Sequence, residues 1–206
     1  MTQASVLFDF WTDDIEWFIV GGTADGDEAQ TIHAMHPLVK CIGFEPNIDF
    51  VRQQNKLLNF PGVVHPCALW SDNCVRELVT PRGATPRSAS VYPFTERPDM
   101  GGDWTPGNTC EVSARALDSL SQEYGPFTNV ALWIDIEGSE LEALLGASQL
   151  LQNRQIKLIN LEAYAHIQLP NINRLLTQRG FVLQKVWNIG TVAGRDAQDY
   201  IYALEN

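Results

Sequence analysis

The chain has 206 residues, of which 45% are hydrophobic, and its 14 basic and 25 acidic residues give a formal net charge of −11. A chain of this length fits one domain with a sizeable core, so it needs neither a disulfide nor a metal ion to fold. The acidic balance disfavours nucleic acid and anionic lipid as partners, because most of the surface would repel them.

The N-terminal segment lacks the basic start and the long apolar stretch of a signal peptide, and no apolar run reaches the roughly 18 residues of a membrane span. The cysteines (Cys41, Cys67, Cys74 and Cys110) include no C-x-x-C pair. We therefore expect a cytoplasmic protein without a membrane segment, whose four thiols are buried and reduced.

Apolar runs typical of strands alternate along the chain with segments of helical spacing. The predicted strands are residues 16–20, 39–45, 63–69, 130–135, 157–162, 181–187 and 199–204. One helix follows the first strand, and others are predicted over residues 48–59, 139–151 and 172–179. This alternation predicts a mostly parallel sheet covered on both faces. The last two strands have no helix between them, so we expect them to pair antiparallel at one edge, joined by residues 188–198.

Residues 81–108 interrupt the alternation, because they are rich in proline and glycine and show no hydrophobic periodicity. Irregular segments of this length in compact domains are usually functional or disordered. The aromatic residues Tyr92, Phe94 and Trp104 favour a lid or a substrate wall over a solvated tail. We therefore expect a single domain, residues 1–206, with a substrate or lid loop at 81–108.

In a parallel sheet, ligands bind at the carboxyl ends of the strands, and the first strand ends in a glycine-rich turn that contains Gly22, Asp25 and Gly26. Such a turn lets a ligand approach the backbone and points helix N–H groups at it. The turn lacks the G-x-G-x-x-G pattern of nicotinamide and flavin enzymes. On spacing alone, a tight turn without a ligand is equally compatible.

The second strand ends at Glu45, followed by Pro46. An acidic residue at this position of a nucleotide-binding fold accepts hydrogen bonds from ribose hydroxyls. The alternative is that Glu45 only caps the start of the next helix.

Two carboxylates, Asp135 and Glu137, follow the fourth long strand, and Gly138 then permits a sharp turn. In an extended stretch the two side chains would share a face, where one could hold a cationic ligand and the other act as a base. Alternatively, Glu137, Ser139 and Glu140 are first-turn residues favoured by the helix dipole, which fits Ser139 and Glu140 better than Asp135.

The fifth long strand ends at Glu162, and His166 follows as a group able to titrate near neutrality. A histidine in a loop is more often simply exposed. His33 and His36 stand three apart on the first helix, but no third ligand lies nearby in sequence, which disfavours a metal site there.

The strings IGFEPN, ARALDSL and ALWIDIEGSELEALLGA, followed by a strand ending in Leu161 and Glu162, resemble the FkbM-type S-adenosylmethionine-dependent methyltransferases over residues 17–204. The resemblance implies an α/β, Rossmann-like class I methyltransferase fold with a seven-stranded sheet, an antiparallel last strand and helices on both faces. It also implies S-adenosylmethionine as cofactor and O-methylation of a sugar or small metabolite, so a small-molecule or carbohydrate acceptor is expected.

Site residues follow from the same resemblance. The turn from Gly22 through Asp25 to Gly26 would lie under the methionine part of the cofactor, and Glu45 would hold the ribose hydroxyls. Asp135 and Glu137 would face the sulfonium and the acceptor. Flanking the adenine would be Cys67, Ala68 and Leu69, with Ser71 or Asp72.

A hydroxyl acceptor must lose a proton, so a base is required. Glu137 is the first candidate, with Glu162 or His166 second, while an amine acceptor would need little help from a base. The chemistry requires no metal, although Asp135, Glu137 and Glu162 could together bind a hard cation.

The sequence departs from the family at three positions. Val20 stands where the family usually has an acid at the end of the first strand, Ala24 replaces an asparagine, and Trp133 replaces a common lysine near the acceptor. Asp25 would compensate for Val20 only in part. These departures keep an alternative open, a degenerate methyltransferase-fold protein that binds cofactor weakly or not at all and serves as an interaction module. A different nucleotide-dependent Rossmann-like enzyme is a third, less favoured hypothesis.

Overall fold

The computed structural model describes residues 3–57, 60–82, 86–92, 106–164, 168–192 and 195–205. The strands are β1 (Trp17–Gly21), β2 (Lys40–Phe44), β3 (Gly62–His65), β4 (Ala68–Leu69), β5 (Cys74–Pro81), β6 (Pro106–Arg115), β7 (Val130–Ile134), β8 (Ile156–Tyr164), β9 (Phe181–Val192) and β10 (Arg195–Leu204). The helices are α1 (Asp27–Met35), α2 (Ile48–Leu57), α3 (Leu117–Tyr124), α4 (Glu140–Leu145), α5 (Ser148–Gln152) and α6 (Leu169–Gln178). Short 3-10 helices cover Gln3–Phe10 and Pro86–Ser88.

A seven-stranded sheet in the order β3-β2-β1-β7-β8-β10-β9 forms the centre of the fold. The five strands from β3 to β8 run parallel, and β10 pairs antiparallel with both β8 and β9. The predicted α/β class and the antiparallel last strands are therefore confirmed. From β1 the chain continues to β2 on one side, and it returns as β7 on the other. The crevice where ligands bind in such sheets thus opens at Gly21 and Ile134, which are register partners.

Both faces of the sheet are covered, and alternate residues of β7 are buried on opposite sides. Leu132 packs in one apolar cluster with Leu144 of α4, whereas Trp133 packs in the other with Ile32 of α1 and Val20 of β1. Trp133 is 2% exposed. The pleat of β7 therefore points the side chain of Trp133, which replaces the common lysine, into the core under α1.

The strand predicted over residues 63–69 is two strands in two sheets. β3 ends at His65, and Pro66, which has no N–H for a strand ladder, stands at the break. β4 then pairs with the end of β6 in a second sheet of order β4-β6-β5. The long antiparallel ribbon of β5 and β6 was not predicted, and residues 106–108, which the predicted loop includes, belong to β6.

The helix predicted over residues 139–151 is divided into α4 and α5 at Gly146 and Ala147. A β-carbon on Gly146 would stand 2.0 Å from the carbonyl oxygen of Trp70, so the chain following β4 crosses the helix pair at this point. The other helix predictions hold with shifted ends, since α2 is described to Leu57 and α6 begins at Leu169.

The predicted joint over residues 188–198 is mostly strand, because β9 continues to Val192 and β10 already begins at Arg195. All four cysteines are free, as predicted, but only Cys41 and Cys67 are buried. The prediction of four buried thiols is wrong for Cys74, which is partly exposed, and for Cys110, which is exposed, because the β5–β6 ribbon lies at the surface. In the part of the chain that the structure describes, no helix is both long and apolar enough to cross a bilayer.

Candidate active site

A pocket of about 270 Å³ opens at the carboxyl ends of β1, β2 and β7, where the sheet topology places a ligand crevice. Its walls come from the turn after β1, the end of β2, strands β4 and β5, the segment 86–91 and the turn after β7. The lining residues are Gly22, Ala24, Glu28, Phe44, Glu45, Pro46, Phe50, Ala68, Leu69, Leu78, Pro86, Arg87, Ala89, Ser90, Val91, Asp135, Ile136 and Glu137.

The glycine turn after β1 ties three strands together at the pocket. Gly22 has a φ of +79°, and its N–H donates to the carbonyl of Phe44 at 2.9 Å. A β-carbon on Gly22 would stand 1.9 Å from the carbonyl oxygen of Asp135, so only glycine fits here. Gly26, with a φ of +77°, closes the turn as the N-cap of α1. Gly22 lines the pocket directly, whereas Gly26 acts by ending the turn.

Glu45 is 7% exposed and connects the end of β2 to the glycine turn. Its Oε1 accepts the N–H of Asn47 at 2.8 Å, and its Oε2 accepts the N–H of Ala24 at 3.3 Å. Burial raises the pKa of Glu45, and these two backbone donors oppose the rise. The side chain thus binds the backbone just before α2, near the start of that helix, and it also lines the pocket. The environment of Glu45 is therefore compatible with a role at the helix start and with a role toward a ligand.

Asp135 and Glu162 form a hydrogen-bonded pair of acidic side chains at the ends of β7 and β8. Burial raises the pKa of both groups, and neighbouring carboxylates raise it further. Two carboxyl groups can share a hydrogen bond only when one of them carries a proton, so burial and the neighbouring carboxylates favour the protonated form of this pair. Asp135 lines the pocket, whereas Glu162 is not among the described lining residues.

Glu137 and Asp135 both line the pocket, but not because they share the face of an extended strand. Glu137 has a φ of +56° and Gly138 a φ of +101°, so the chain turns sharply directly after Ile136. The carbonyl of Glu137 accepts a hydrogen bond from Ser90 Oγ at 2.8 Å. The prediction that Gly138 makes a sharp turn is confirmed, and the predicted extended geometry of Glu137 is wrong.

Two buried residues outside the predicted set of site residues hold this turn. Glu140 is 2% exposed, and its Oε1 accepts the N–H groups of Gly138 at 3.0 Å and Ile136 at 3.3 Å. Burial raises the pKa of Glu140 to about 7. Gln168, also buried, donates from Nε2 to the carbonyl of Gly138 and accepts the N–H of Leu141. The sequence predicts Glu140 as an acid in the first turn of a helix, where the helix dipole favours it, but no local signal pointed to Gln168.

The short segment 86–92 forms one wall of the pocket. Its Arg87 makes an ion pair with Asp25 of the glycine turn. Ser90 is bridged to Val79 of β5, and its Oγ also accepts the N–H of Tyr92. The carboxylate of Asp25 therefore pairs with a cation of the chain itself. Of the other aromatic residues of the predicted lid, Phe94 and Trp104 lie outside the described residues.

The predicted adenine-flanking residues divide into two groups. Ala68 and Leu69 line the pocket beside Phe44, whereas Cys67 is buried in the main core. Ser71 and Asp72 are not among the described lining residues, because β4 ends at Leu69 and the chain then turns toward β5.

The histidine candidates and the possible metal site remain. His166 falls outside the described residues. His36 stacks on Trp11 with ring centroids 4.6 Å apart, which gives it an aromatic partner in the N-terminal segment. Within the described ranges, no group of three or more His, Cys, Asp or Glu side chains is arranged to hold a metal ion, including the set Asp135, Glu137 and Glu162.

Similar solved structures show the class of fold. The chain matches the precorrin-6y C5,15-methyltransferase of Geobacter metallireducens GS-15 with a TM-score of 0.55 and 13% identity, over 98% of this chain and 86% of that one. It matches M. capricolum TrmK in complex with S-adenosyl-homocysteine with a TM-score of 0.53 and 6% identity, over 100% and 70%. It matches the B. subtilis tRNA methyltransferase TrmK with a TM-score of 0.53 and 9% identity, over 100% of this chain and 67% of that one. Identities this low establish the fold alone, which is the Rossmann-like fold of class I methyltransferases.

The family follows from the sequence itself. The model of the FkbM methyltransferase domain matches residues 21–183, so the chain belongs to the FkbM methyltransferase family. This confirms the resemblance and, with it, S-adenosylmethionine as the cofactor expected for the family. A search of curated proteins found no match to this sequence.

Proposed function

We propose that this protein transfers a methyl group from S-adenosylmethionine to a hydroxyl of a sugar or another small metabolite. The observation that carries the proposal is the pocket at the sheet switch point, where the carboxylates of Asp135 and Glu137 face the same space as the glycine turn and Glu45. A hydroxyl acceptor needs a base, and the carboxylate of Glu137 lines this pocket.

The lining of the pocket fits the parts of the donor. Phe44, Ala68 and Leu69 offer apolar walls to an adenine ring, and Glu45 offers carboxylate oxygens to the ribose hydroxyls. Gly22 lets the amino-acid portion approach the backbone. Asp135 offers negative charge to the positively charged sulfonium.

When bound, S-adenosylmethionine supplies an electrophilic methyl group on a sulfonium, which passes to the acceptor oxygen in an in-line displacement. The chain's part is to position the acceptor and to receive its proton. Glu137 is the residue we assign as general base, since it lines the pocket at its β7 edge. Glu162 is a weaker candidate, because it is not among the described lining residues and burial raises its pKa.

We expect the segment 86–92 to contact the acceptor. Ala89, Ser90 and Val91 line the pocket, and Ser90 is hydrogen-bonded to the backbone of Glu137. A small, polyhydroxylated acceptor fits this arrangement, since the wall is short and the carboxylates accept hydroxyl hydrogen bonds. Nucleic acid remains disfavoured by the net charge of −11.

Calorimetric titration with S-adenosylmethionine and S-adenosylhomocysteine tests donor binding. We expect micromolar affinity for the wild-type protein and at least about tenfold weaker binding for Glu45→Gln and Asp135→Asn. Glu111→Gln, which removes a charge from the exposed part of β6, is the matched control and should bind like wild type. Hydroxylated acceptors are then screened by the S-adenosylhomocysteine that each reaction releases.

Two outcomes would contradict the proposal. Absence of binding up to about 1 mM, weaker than about −4 kcal/mol, would support the interaction-module alternative, which the apolar Val20 motivates. Donor binding with methyl transfer to amines only would reassign the acceptor class and remove the need for a base.

A further inference from the structure

The inference rests on the proposed function and concerns how the donor's amino-acid end is recognised. S-adenosylmethionine carries an α-ammonium group besides its sulfonium, and a buried ammonium needs an anionic partner. The end of β1 does not provide one. Val20 is fully buried among apolar side chains, and the carboxylate of Asp25, in the turn that follows, is paired with Arg87.

The carboxylates that line the pocket have different partners. Glu45 is bound to backbone N–H groups at the β2 end, and Asp135 is hydrogen-bonded to Glu162 at the β7 end. Glu137 lies in the turn next to the segment 86–92. Glu28 is the lining carboxylate that α1 contributes, directly after the glycine turn.

The position of Glu28 follows from the packing of α1. Glu28 is the second residue of this helix, and residue 32 lies one turn further along the same face. Ile32 is fully buried against the sheet, so Glu28 is held on the sheet side of the helix, whereas Asp27 beside it is exposed. The apolar packing of α1 thus sets the direction of the Glu28 side chain, and its carboxylate lines the pocket.

The charged groups that act on the pKa of Glu28 are carboxylates, and Arg87, which also lines the pocket, is paired with Asp25. Burial raises the pKa of Glu28, and Asp27 and Asp199 raise it further, while the residue's own backbone N–H opposes the rise. Glu28 in turn contributes to the raised pKa of Asp135. A positive group in this part of the pocket would be stabilised by Glu28, Asp135 and Asp199 together.

We propose that the Glu28 carboxylate binds the α-ammonium group of S-adenosylmethionine. Glu28 thereby supplies from α1 the negative charge that the end of β1 lacks. It is a donor-binding residue and takes no part in the transfer of the methyl group.

Calorimetric titration of three ligands separates the groups that Glu28 could contact. S-adenosylmethionine has both the ammonium and the sulfonium, S-adenosylhomocysteine has only the ammonium, and methylthioadenosine has neither. For Glu28→Gln we expect binding of the first two ligands to weaken by at least about tenfold, since a charge-assisted hydrogen bond is lost. Binding of methylthioadenosine should change by less than about twofold.

Two further variants make the comparison specific. Asp27→Asn removes a neighbouring negative charge from the same helix turn, outside the pocket, and should leave all three affinities close to wild type. Glu28→Asp keeps the charge on a shorter side chain and should recover part of the lost affinity for the two ammonium-bearing ligands. Thermal unfolding of each variant verifies that it is folded.

The outcomes are distinguishable. If Glu28→Gln weakens S-adenosylmethionine alone, the residue faces the sulfonium and the ammonium assignment is overturned. Equal loss for all three ligands, or no loss, likewise overturns it while donor binding by the wild-type protein stands. If the wild-type protein binds none of the three ligands, the proposed function fails and this inference fails with it.

Discussion

The backbone of Gly22 passes directly beside the carbonyl oxygen of Asp135, so closely that a β-carbon on Gly22 would stand 1.9 Å from that oxygen. The contact joins the turn after β1 to the end of β7, which are the two elements on either side of the switch point. The fold itself therefore requires glycine at position 22, whether or not a ligand is bound. The same close approach brings the carboxylate of Asp135 to the pocket beside the turn.

Gly22→Ala is expected to lower the free energy of unfolding by more than about 2 kcal/mol, because it adds a backbone clash to the strain of positive φ. Gly180→Ala is the matched control, since Gly180 has a φ of +83° but its β-carbon would approach only side-chain atoms, at 3.3 and 3.8 Å. The free energy of unfolding of the control should fall by about 1 kcal/mol, because only the strain of the positive φ is added. Urea unfolding measures both values, and equal losses would mean that the Asp135 contact is not restrictive.

The pair Asp135 and Glu162 predicts how stability depends on pH. A carboxyl whose pKa is raised on folding binds its proton more tightly in the folded state, so its contribution to stability is greatest at low pH and is lost as pH rises through the folded value. The free energy of unfolding should therefore begin to fall above about pH 5, where the carboxyls of the unfolded chain are ionised, and keep falling through pH 7 until the pH passes the raised folded values. A single such group contributes at most about 1.4 kcal/mol per pH unit.

Glu162→Gln tests this pH dependence, because the amide can still donate a hydrogen bond to Asp135 but does not titrate. We expect the variant to be more stable than wild type at pH 8 and the slope between pH 5 and pH 7 to become shallower. Glu77→Gln, which changes an exposed acid on β5, should leave the slope unchanged. Parallel curves for Glu162→Gln and wild type would contradict a shared proton in this pair.

The ion pair between Arg87 and Asp25 predicts a link between the segment 86–92 and donor affinity. Both side chains are largely accessible, at 55% and 38%, so breaking the pair should change overall stability by less than about 1 kcal/mol. Since Arg87 itself lines the pocket, Arg87→Asp should weaken binding of S-adenosylmethionine several-fold by misplacing this wall. The double reversal with Asp25→Arg should restore most of that affinity, and failure of the rescue would show that Arg87 acts on the ligand directly.

The proposed base can be tested by separating turnover from binding. Glu137→Gln removes the proton acceptor but preserves the shape of the side chain, so kcat for a hydroxyl acceptor should fall by at least about 100-fold. Donor affinity, measured by calorimetry, should change far less. Glu142→Gln, on the following helix, removes a charge close in sequence and should retain turnover. Full turnover of Glu137→Gln would exclude this residue as the base.

Local sequence patterns determined the central architecture of this protein. Apolar runs and helical periodicity predict the parallel strands, and the absence of a helix before β10 predicts its antiparallel pairing, because these signals are contained in adjacent residues. Glu45, Asp135 and Glu137 could be located as pocket residues because they immediately follow strands whose carboxyl ends meet. Gly138 could be assigned to a turn for the same local reason.

Only the tertiary structure decided the contacts between distant segments. Three contacts are of this kind, because each joins segments that are far apart in sequence and local propensity cannot predict them. They are the ion pair of Asp25 with Arg87, the hydrogen bond from Gln168 to Gly138 and the hydrogen bond between Asp135 and Glu162. The orientation of Glu28 is of the same kind, since the rotation of α1 is set by apolar packing of Ile32 against the sheet. Sequence therefore located the edge of the sheet where the chemistry belongs, and packing decided which side chains face the pocket there, because burial is a property of the whole fold.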